Sequence, residues 1–511
     1  MEAIVNTIVG YIWGNALVVL SLGVGLYFTL ATRGVQFRYL IKMVCLLKEN
    51  KASKEGISSF QAFCLALSGR VGVGNIAGVA TAIAAGGPGA IFWMVVMGLL
   101  GGASAFIEST LAQVYKQRSD GQYRGGSPYY IEKGLKLKPF AIIVAAVICL
   151  SYGVLVPGIQ ANTIADSFQT AFNLPPIATG GIVTVLMAWL IFGGVKRIAS
   201  AADKIVPIMA LAYIVMMVII LGSHYEQVPG MFSLIFRSAM GMDAVFGGIV
   251  GTAVSWGVRR AVFSNVAGAG EATFSSAAAE VSHPVKQGLI QAFSIYIDTV
   301  VVCTASGLMI LVTNMYNVFP DGSATALVEY VPGVAAGTAW TQMAVSTVFT
   351  SAGSGFVSIA VFLFAFTTLM AYYYIAETTI VYLDRKLRYP ILKLILKFVF
   401  LIIVFMGSVQ SVSLMWSLGD IGFGSMSYLN LIAIVFLSKP ALRALRDFER
   451  QEKLGVDPVF DPKVAGIENA ELWEDISREY HEQGIGIEPK EKKSRDGISR
   501  RREEKLEEKW R

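Results

Sequence analysis

The chain is poor in charge and nearly free of histidine. Charged residues make up 15% of its 511 positions, and the histidines are His224, His283 and His481. A membrane-embedded enzyme would need convergent His, Asp or Glu within the lipid. All three histidines read as loop or tail residues, with His283, just before Pro284, a capping or surface residue, so an enzyme is disfavoured. Cysteine is scarce as well. Cys45, Cys64, Cys149 and Cys303 lack metal or disulfide spacing and read as small buried side chains. Glu2, not a basic stretch, precedes the first apolar run, so no cleavable signal is expected there. No lysine or arginine occurs between Lys286 and Arg385. The net charge of +6 gathers in loops and tail, which is no nucleic-acid signal.

Apolar residues are abundant: 54% of the chain, with a mean hydropathy of +0.58. That composition reads as an all-α polytopic membrane protein embedded in a lipid bilayer. Spans of about 20 mainly apolar residues are expected near 15–31, 59–85, 90–115, 140–172, 177–192, 205–221, 245–279, 289–313, 355–383, 391–406 and 416–437. Basic residues orient them. Arg33, Arg38, Lys42, Lys48, Lys51 and Lys54 follow the first span, and Lys116, Arg118, Arg124, Lys133, Lys136 and Lys138 the third. Lys196, Arg197 and Lys204 follow the fifth, Lys286 the seventh, and Arg385, Lys386 and Arg388 the ninth. Arg237 is the main exception among the alternate loops. The positive-inside rule puts the tail in the cytoplasm and, with eleven spans, the N-terminus outside.

With the first span set aside, ten remain. They divide as five plus five, facing the membrane in opposite senses, as in an inverted repeat. The expected segments are 1–57, an added span with a basic loop; 58–222, the first repeat; 223–438, the second; and 439–511, a charged tail. Residues 314–354 are expected as an external loop with short helices, and the tail as partial helix with little core of its own.

The first span of each repeat is interrupted. One break reads Ser68-Gly69-Arg70-Val71-Gly72-Val73-Gly74-Asn75-Ile76-Ala77-Gly78, the other Phe263-Ser264-Asn265-Val266-Ala267-Gly268-Ala269-Gly270-Glu271. Bare backbone in lipid costs several kcal/mol per unsatisfied group, so a break persists only inside protein or along a cavity. A pair of them, one per half, points to the binding site of a secondary transporter. Half-helix N-termini offer N–H groups to a carboxylate, while unwound carbonyls offer oxygens to a cation. That suits a small amino acid and sodium, with no other cofactor. Gly72, Gly74 and Asn75 in the first break, and Asn265, Gly268 and Gly270 in the second, are candidate substrate residues. Gly101-Gly102 and Gly247-Gly248 read as helix-packing glycines.

Other polar residues lie within spans. Thr367 and Thr368 offer hydroxyls to sodium or bond back to their own helix. Gln160, close to Pro157 and Gly158, either joins helices or touches substrate. Arg70 could hold a break open by bonding carbonyls or pair with an acid. Glu271 could meet a substrate ammonium group, a cation or an arginine. Arg259 and Arg260 precede the second break. Asp298 and Glu377 are placed nearer the cytoplasmic ends, where pairing or snorkelling explains them. A channel would need a continuous pore with polar rings, against which two isolated breaks argue.

The stretch Gly69-Arg70-Val71-Gly72-Val73-Gly74-Asn75-Ile76-Ala77-Gly78, followed by Gly86-Gly87-Pro88-Gly89-Ala90, resembles the alanine or glycine:cation symporter family of bacteria and archaea. Val262-Phe263-Ser264-Asn265, Ala267-Gly268, His283-Pro284-Val285-Lys286-Gln287-Gly288, Gly125-Gly126-Ser127-Pro128 and Asp298-Thr299 match it too. The resemblance, over roughly 56–439, implies a leucine-transporter-like fold of five plus five inverted repeats with one extra N-terminal span. It also implies uptake of a small neutral amino acid coupled to sodium or protons across a prokaryotic plasma membrane. By position it implies a sodium site of the Ser68 and Val71 carbonyls with Thr367 and Thr368, and a substrate site of Gly72, Gly74, Asn75, Gln160, Asn265 and Gly268. Three positions depart from the family: Val73 stands for its usual Thr, Val266 for its Glu, and Glu271 for its Ser. The last two leave an acid displaced along the second break.

Overall fold

A computed structural model describes residues 2–49, 53, 55–119, 121–385 and 390–486. Lys51, Lys54, Lys386, Arg388 and the end of the tail, 487–511, lie outside the described residues. The described chain is helical apart from two short antiparallel hairpins. In one, Gln117 faces Arg124; in the other, Asn317 faces Glu329. Among the described residues, eight helices have the length and apolarity to cross a membrane: Thr7–Ala31, Gly89–Val114, Lys138–Phe172, Arg197–Ser223, Pro284–Val312, Ala352–Leu383, Ile391–Val409 and Val412–Phe436. Of the other three expected spans, one forms the shorter apolar helix Pro176–Ile191, and two are the interrupted segments.

Both interruptions have local causes. Helix Ser59–Arg70 starts on a reciprocal cap, in which the Ser58 hydroxyl accepts the Gln61 N–H and the Gln61 side chain accepts the Ser58 N–H, both at 3.2 Å. It ends at Val71. Gly72 is extended, Val73–Asn75 makes one tight turn, and helix Ala77–Gly86 resumes. Helix Val250–Asn265 stops because Val266 turns left-handed, at φ 51°, and Gly268 and Gly270 stay there at φ 83° and 87°. Glycine takes that region freely. A β-branched valine does so at a cost, about 1–3 kcal/mol, that the surroundings must impose. Helix Ala272–Ala278 then completes the segment.

The two interrupted segments run antiparallel. Ile57, entering the first, pairs with Ala279, leaving the second; the Ile57 N–H donates to Ala278 O and the Glu280 N–H to Ile57 O, each at 2.9 Å. A Cβ on Gly74 would stand 3.1 Å from Ser264 Cα, and one on Gly86 would stand 3.0 Å from Ala253 Cα. Small residues thus set the closeness of the two. Helix Gly89–Val114 lies against the second break: a Cβ on Gly101 would meet Ala267 Cβ at 2.9 Å. Gly101 packs as its sequence suggests. Gly247-Gly248 instead form a tight turn, in which a Gly247 Cβ would meet Gly241 O at 2.9 Å and a Gly248 Cβ nothing within 4 Å.

Residues 314–354 carry the Asn317–Val318/Val328–Glu329 hairpin and helix Thr338–Phe349. They reach both interrupted segments, through the Phe319 N–H on Ala84 O (2.7 Å) and Trp256 Nε1 on Asp321 (3.2 Å). The described tail, helices Ser438–Lys453, Pro462–Ala465 and Leu472–Glu482, is packed more tightly than its charge suggests. Phe448, Phe460 and Trp473 are fully buried, and Trp473 Nε1 donates to Gln113 O at 2.7 Å. His283 is not on the surface. It caps Val285 as expected, but the tail buries it beside Asp447 at 3.4 Å.

Candidate functional site

At the first break the unwound backbone turns its carbonyls toward helix Ser351–Leu383. Thr368 Oγ1 lies 2.8 Å from Ser68 O, 3.4 Å from Val71 O and 2.9 Å from Phe364 O in its own helix. A hydroxyl has one proton and two lone pairs. When it donates to Phe364 O, a lone pair joins the Ser68 and Val71 carbonyls, and three oxygens face one point. Gly72 borders that point: a Cβ there would stand 2.6 Å from Thr368 Oγ1 and 3.1 Å from Gln160 Oε1. Thr367 is directed elsewhere. Neighbouring helix residues point about 100° apart, and its hydroxyl bonds Phe364 O (3.0 Å) beside Met209 Sδ (3.8 Å).

Gln160 reaches the same turn from helix Pro157–Phe172. Its Oε1 accepts the Val73 N–H at 3.3 Å, and its Nε2 donates to Tyr372 Oη at 3.3 Å. Asn75 folds inward. Its Oδ1 accepts the Gly72 N–H (2.8 Å) and its Nδ2 donates to Asp298 Oδ1 (2.7 Å). Asp298 is therefore not near a helix end. It is fully buried between the two breaks, where Ser264 (3.1 Å) and Thr299 (2.7 Å) also donate to it. The sequence distance from Lys286 misleads because Asp298 sits in the π-helical stretch Tyr296–Cys303, whose irregular winding turns it inward. Cys303 joins this cluster, 3.2 Å from both Asn75 and Ser264.

The second break is held from outside itself. Arg70 Nε donates to Asn265 O at 2.8 Å, and its Nη1 meets Gln291 O (3.3 Å) and the Ser294 hydroxyl. Arg70 thus bonds carbonyls and keeps the break open. The Asn265 side chain bonds Thr299 (3.0 Å) and the Ala267 N–H (2.9 Å). Asn430 Nδ2 donates to Gly268 O at 2.8 Å and to Glu108 Oε2 at 2.9 Å, and that oxygen also takes the Gly270 N–H at 3.1 Å. A Cβ on Gly268 would run into Leu431, and one on Gly270 into Ser127. These glycines serve packing against neighbouring helices as well as the bend. The Glu271 carboxyl lies against Gly69 of the first break, its Oε2 accepting from Tyr152 at 2.8 Å.

Sequence reading missed Glu108, Tyr152, Tyr372 and Asn430. Glu108 and Asn430 are intramembrane polar residues, the signal that could have found them. Arg259 and Arg260 pair with Asp420, at 2.6 and 3.1 Å, and Glu377 with Arg124 at 3.8 Å.

Two interrupted segments, crossed antiparallel, with carbonyls turned to a hydroxyl and an amide on facing helices, describe a transporter core. Known proteins agree. YrbD of Bacillus subtilis (strain 168), provisionally described as a sodium/proton-dependent alanine carrier, is 53% identical over 93% of this chain and 98% of its own. The sodium/proton-dependent alanine carrier of Bacillus sp. (strain PS3) is 49% identical over 86% and 99%. GlnT of B. subtilis (strain 168), provisionally described as a sodium/glutamine symporter, is 42% identical over 93% and 97%. With the sodium:alanine symporter family profile matching residues 1–462, the chain belongs to that family of multi-pass membrane proteins.

Proposed function

We propose that this chain is a secondary active symporter that imports a small neutral amino acid, alanine or glycine, coupled to sodium by alternating access. The observation that carries the reading is Thr368 Oγ1 facing Ser68 O and Val71 O across the first break. Sodium binds these oxygens and orders the break against helix Ser351–Leu383. The substrate carboxylate takes the Val73 N–H from Gln160, whose amide fills that place in this structure. Gly72 leaves room for ligand and ion together. Asn75 and Asn265 shape the chamber from behind, and Gly74, Gly268 and Gly270 allow the close packing that the bends require. Eleven spans in a five-plus-five inverted repeat carry this site. The antiparallel crossing of residues 57, 74 and 86 with 279, 264 and 253 supports the inversion. The N-terminus lies outside and the tail in the cytoplasm of a prokaryotic plasma membrane.

Purified protein in liposomes should accumulate labelled alanine under an inward sodium gradient and lose that dependence in Thr368→Ala. Uptake indifferent to sodium would defeat the sodium site. The glutamine description of one relative supports a second reading, a larger amide substrate, for which competition by unlabelled amino acids decides.

A further inference from the structure

The described tail does more than follow the last span. It bridges two parts of the molecule that face each other across the ends of the interrupted segments. On one side it grips helix Ser127–Leu135. Lys133 Nζ donates to Glu471 at 2.9 Å, Lys136 Nζ to Glu468 at 3.2 Å, and Asn469 Nδ2 to Lys133 O at 3.0 Å. The Lys136 pair is exposed and contributes little. Helix Ser127–Leu135 is fixed in turn to the end of helix Ser351–Leu383, with Glu132 on Arg385 at 3.0 Å and Tyr129 against Tyr382, ring centres 5.0 Å apart.

On its other side the tail grips the end of the second interrupted segment. The Phe460 N–H donates to Ser282 O at 2.9 Å, the Ser282 hydroxyl to Pro458 O at 2.8 Å, and Tyr480 Oη to Glu280 at 3.2 Å. Lys286, in the helix that follows, pairs with Asp457 at 3.0 Å. Lys116 joins this grip to the interior. It is buried, and its ammonium donates to Ala279 O at 3.1 Å. The same ammonium lies between two aromatic faces, Trp473 of the tail at 4.8 Å and Tyr123 at 4.1 Å. A desolvated cation over a ring is held more firmly than an exposed one.

Tyr123 in turn borders a cavity of about 30 Å³, with Gly56, Ile57, Leu65, Ala278 and Tyr374. Leu65 and Tyr374 also line a smaller one, of about 10 Å³, beside Glu271 and Ser275. Both cavities lie between the arms of the interrupted segments and helix Ser351–Leu383, in line with the breaks. Tyr374 narrows them, its Oη donating to Phe274 O at 3.3 Å. The ends of the interrupted segments cannot part from helix Ser351–Leu383 here while the tail holds Ser282, Glu280 and Lys116 on one side and Lys133 on the other.

From these contacts we infer that the tail is a latch on the cytoplasmic mouth of the transport path. Docked, with Trp473 on Lys116 and Lys116 on Tyr123, it keeps the mouth shut; it lifts for the substrate to leave. The inference rests on the symport reading and the cytoplasmic tail proposed above, and adds a regulatory element to them.

The test uses the full chain with Cys45, the exposed cysteine, replaced by serine. Ala278→Cys places a thiol in the mouth, and its reaction with a small charged methanethiosulfonate is timed in detergent against the same chain without it. In Trp473→Ala the reaction should run roughly 5- to 30-fold faster, the factor that goes with one or two lost contacts of this kind. Lys116→Gln should act alike, and Trp473→Phe, which keeps a ring over Lys116, should fall between. Equal rates in all of them overturn the latch. In a second arm, Glu280→Cys and Tyr480→Cys are joined by a reducible cross-linker, and labelled alanine uptake into liposomes is followed under an inward sodium gradient. Uptake should stop on cross-linking and return on reduction. Full uptake by the cross-linked protein overturns the latch, even where Trp473→Ala fails to fold. A tail that serves stability alone would lower the melting point of Trp473→Ala and leave both readouts unmoved, which also overturns it. Absence of uptake before cross-linking counts against the symport reading, and the thiol rates, which need no substrate, then decide the latch by themselves.

Discussion

Gly72→Ala tests the first break most directly. The backbone at Gly72, φ −133° and ψ −149°, is extended, so the penalty comes from space and not from a left-handed conformation. The added methyl would stand 2.6 Å from Thr368 Oγ1, 3.1 Å from Gln160 Oε1 and 3.4 Å from Thr368 Cβ. Thr368 cannot swing away cheaply, because its one hydroxyl proton would leave whichever of Ser68 O and Phe364 O, at 2.8 and 2.9 Å, it donates to. Overpacking of this kind costs about 1–3 kcal/mol. If the whole cost falls on the sodium-loaded state, sodium dependence weakens roughly 5- to 150-fold, at 1.4 kcal/mol per factor of ten. The assay is labelled alanine uptake in proteoliposomes against external sodium, at matched protein content. Gly78→Ala is the control, since its nearest neighbour would be Trp416 at 3.7 Å, and it should transport normally. Because the clash is with the Thr368 hydroxyl, Gly72→Ala combined with Thr368→Ala should be little worse than Thr368→Ala alone. Normal sodium dependence in Gly72→Ala, or full additivity in the double variant, would refute the placement of ion and threonine argued above.

Thr367→Ala should cost about 1 kcal/mol or less and leave the sodium dependence of alanine uptake in place, because its hydroxyl bonds back to its own helix beside Met209. Asn430→Ala should lower the thermal midpoint of the detergent-solubilised protein, since it takes the Nδ2 donor away from two buried acceptors, Gly268 O and Glu108 Oε2, at about 1–3 kcal/mol per buried group left unpaired. Burial holds the His283 imidazole below its ordinary 6.5, against the pull of Asp447 and with Lys286 and Asp457 also near. The neutral ring is therefore compatible with a docked tail at pH 7. Below about 6.5 the undocked state binds the proton first, so docking weakens as pH falls, and trypsin cleavage after Lys453 should speed up between pH 7 and 5 in the wild type but not in His283→Asn.

Much of this architecture was readable from residue types. The glycines of Gly69–Gly78 and Ala267–Gly270 announce the loss of helix, since nothing else tolerates bare backbone at that depth. Loop charges locate the turns. What escaped has a common cause: the identity of a residue does not reveal the direction in which it points. Thr367 and Thr368 are equivalent in sequence, yet a 100° step separates a hydroxyl beside Ser68 O from one beside Met209 Sδ. Asp298 and Tyr152 occupy π-helical stretches, Tyr296–Cys303 and Ser151–Leu155, whose registers ordinary helical spacing does not anticipate. Glu108 and Asn430 lie hundreds of positions apart and meet only because both satisfy the backbone of Gly268–Gly270. The tail's charge hid its buried aromatics, because long charged side chains cover apolar ones without betraying them in composition.

The strand-like pairing of Ile57 with Ala279 rivets at one tip two rods that are also joined at mid-length by Arg70 on Asn265 O. Their opposite tips, Gly86 against Ala253, touch only through small-residue contact at the positions compared. Tweezers built this way spread more easily at the tip of Gly86 and Ala253 than at the tip of Ile57 and Ala279. At the Ile57 tip they either swing together or snap two main-chain bonds, each worth roughly 0.5–1.5 kcal/mol. Motion at that tip is therefore a joint tilt of both rods, and a spectroscopic ruler between labels near 57 and 279 should keep one length while others change.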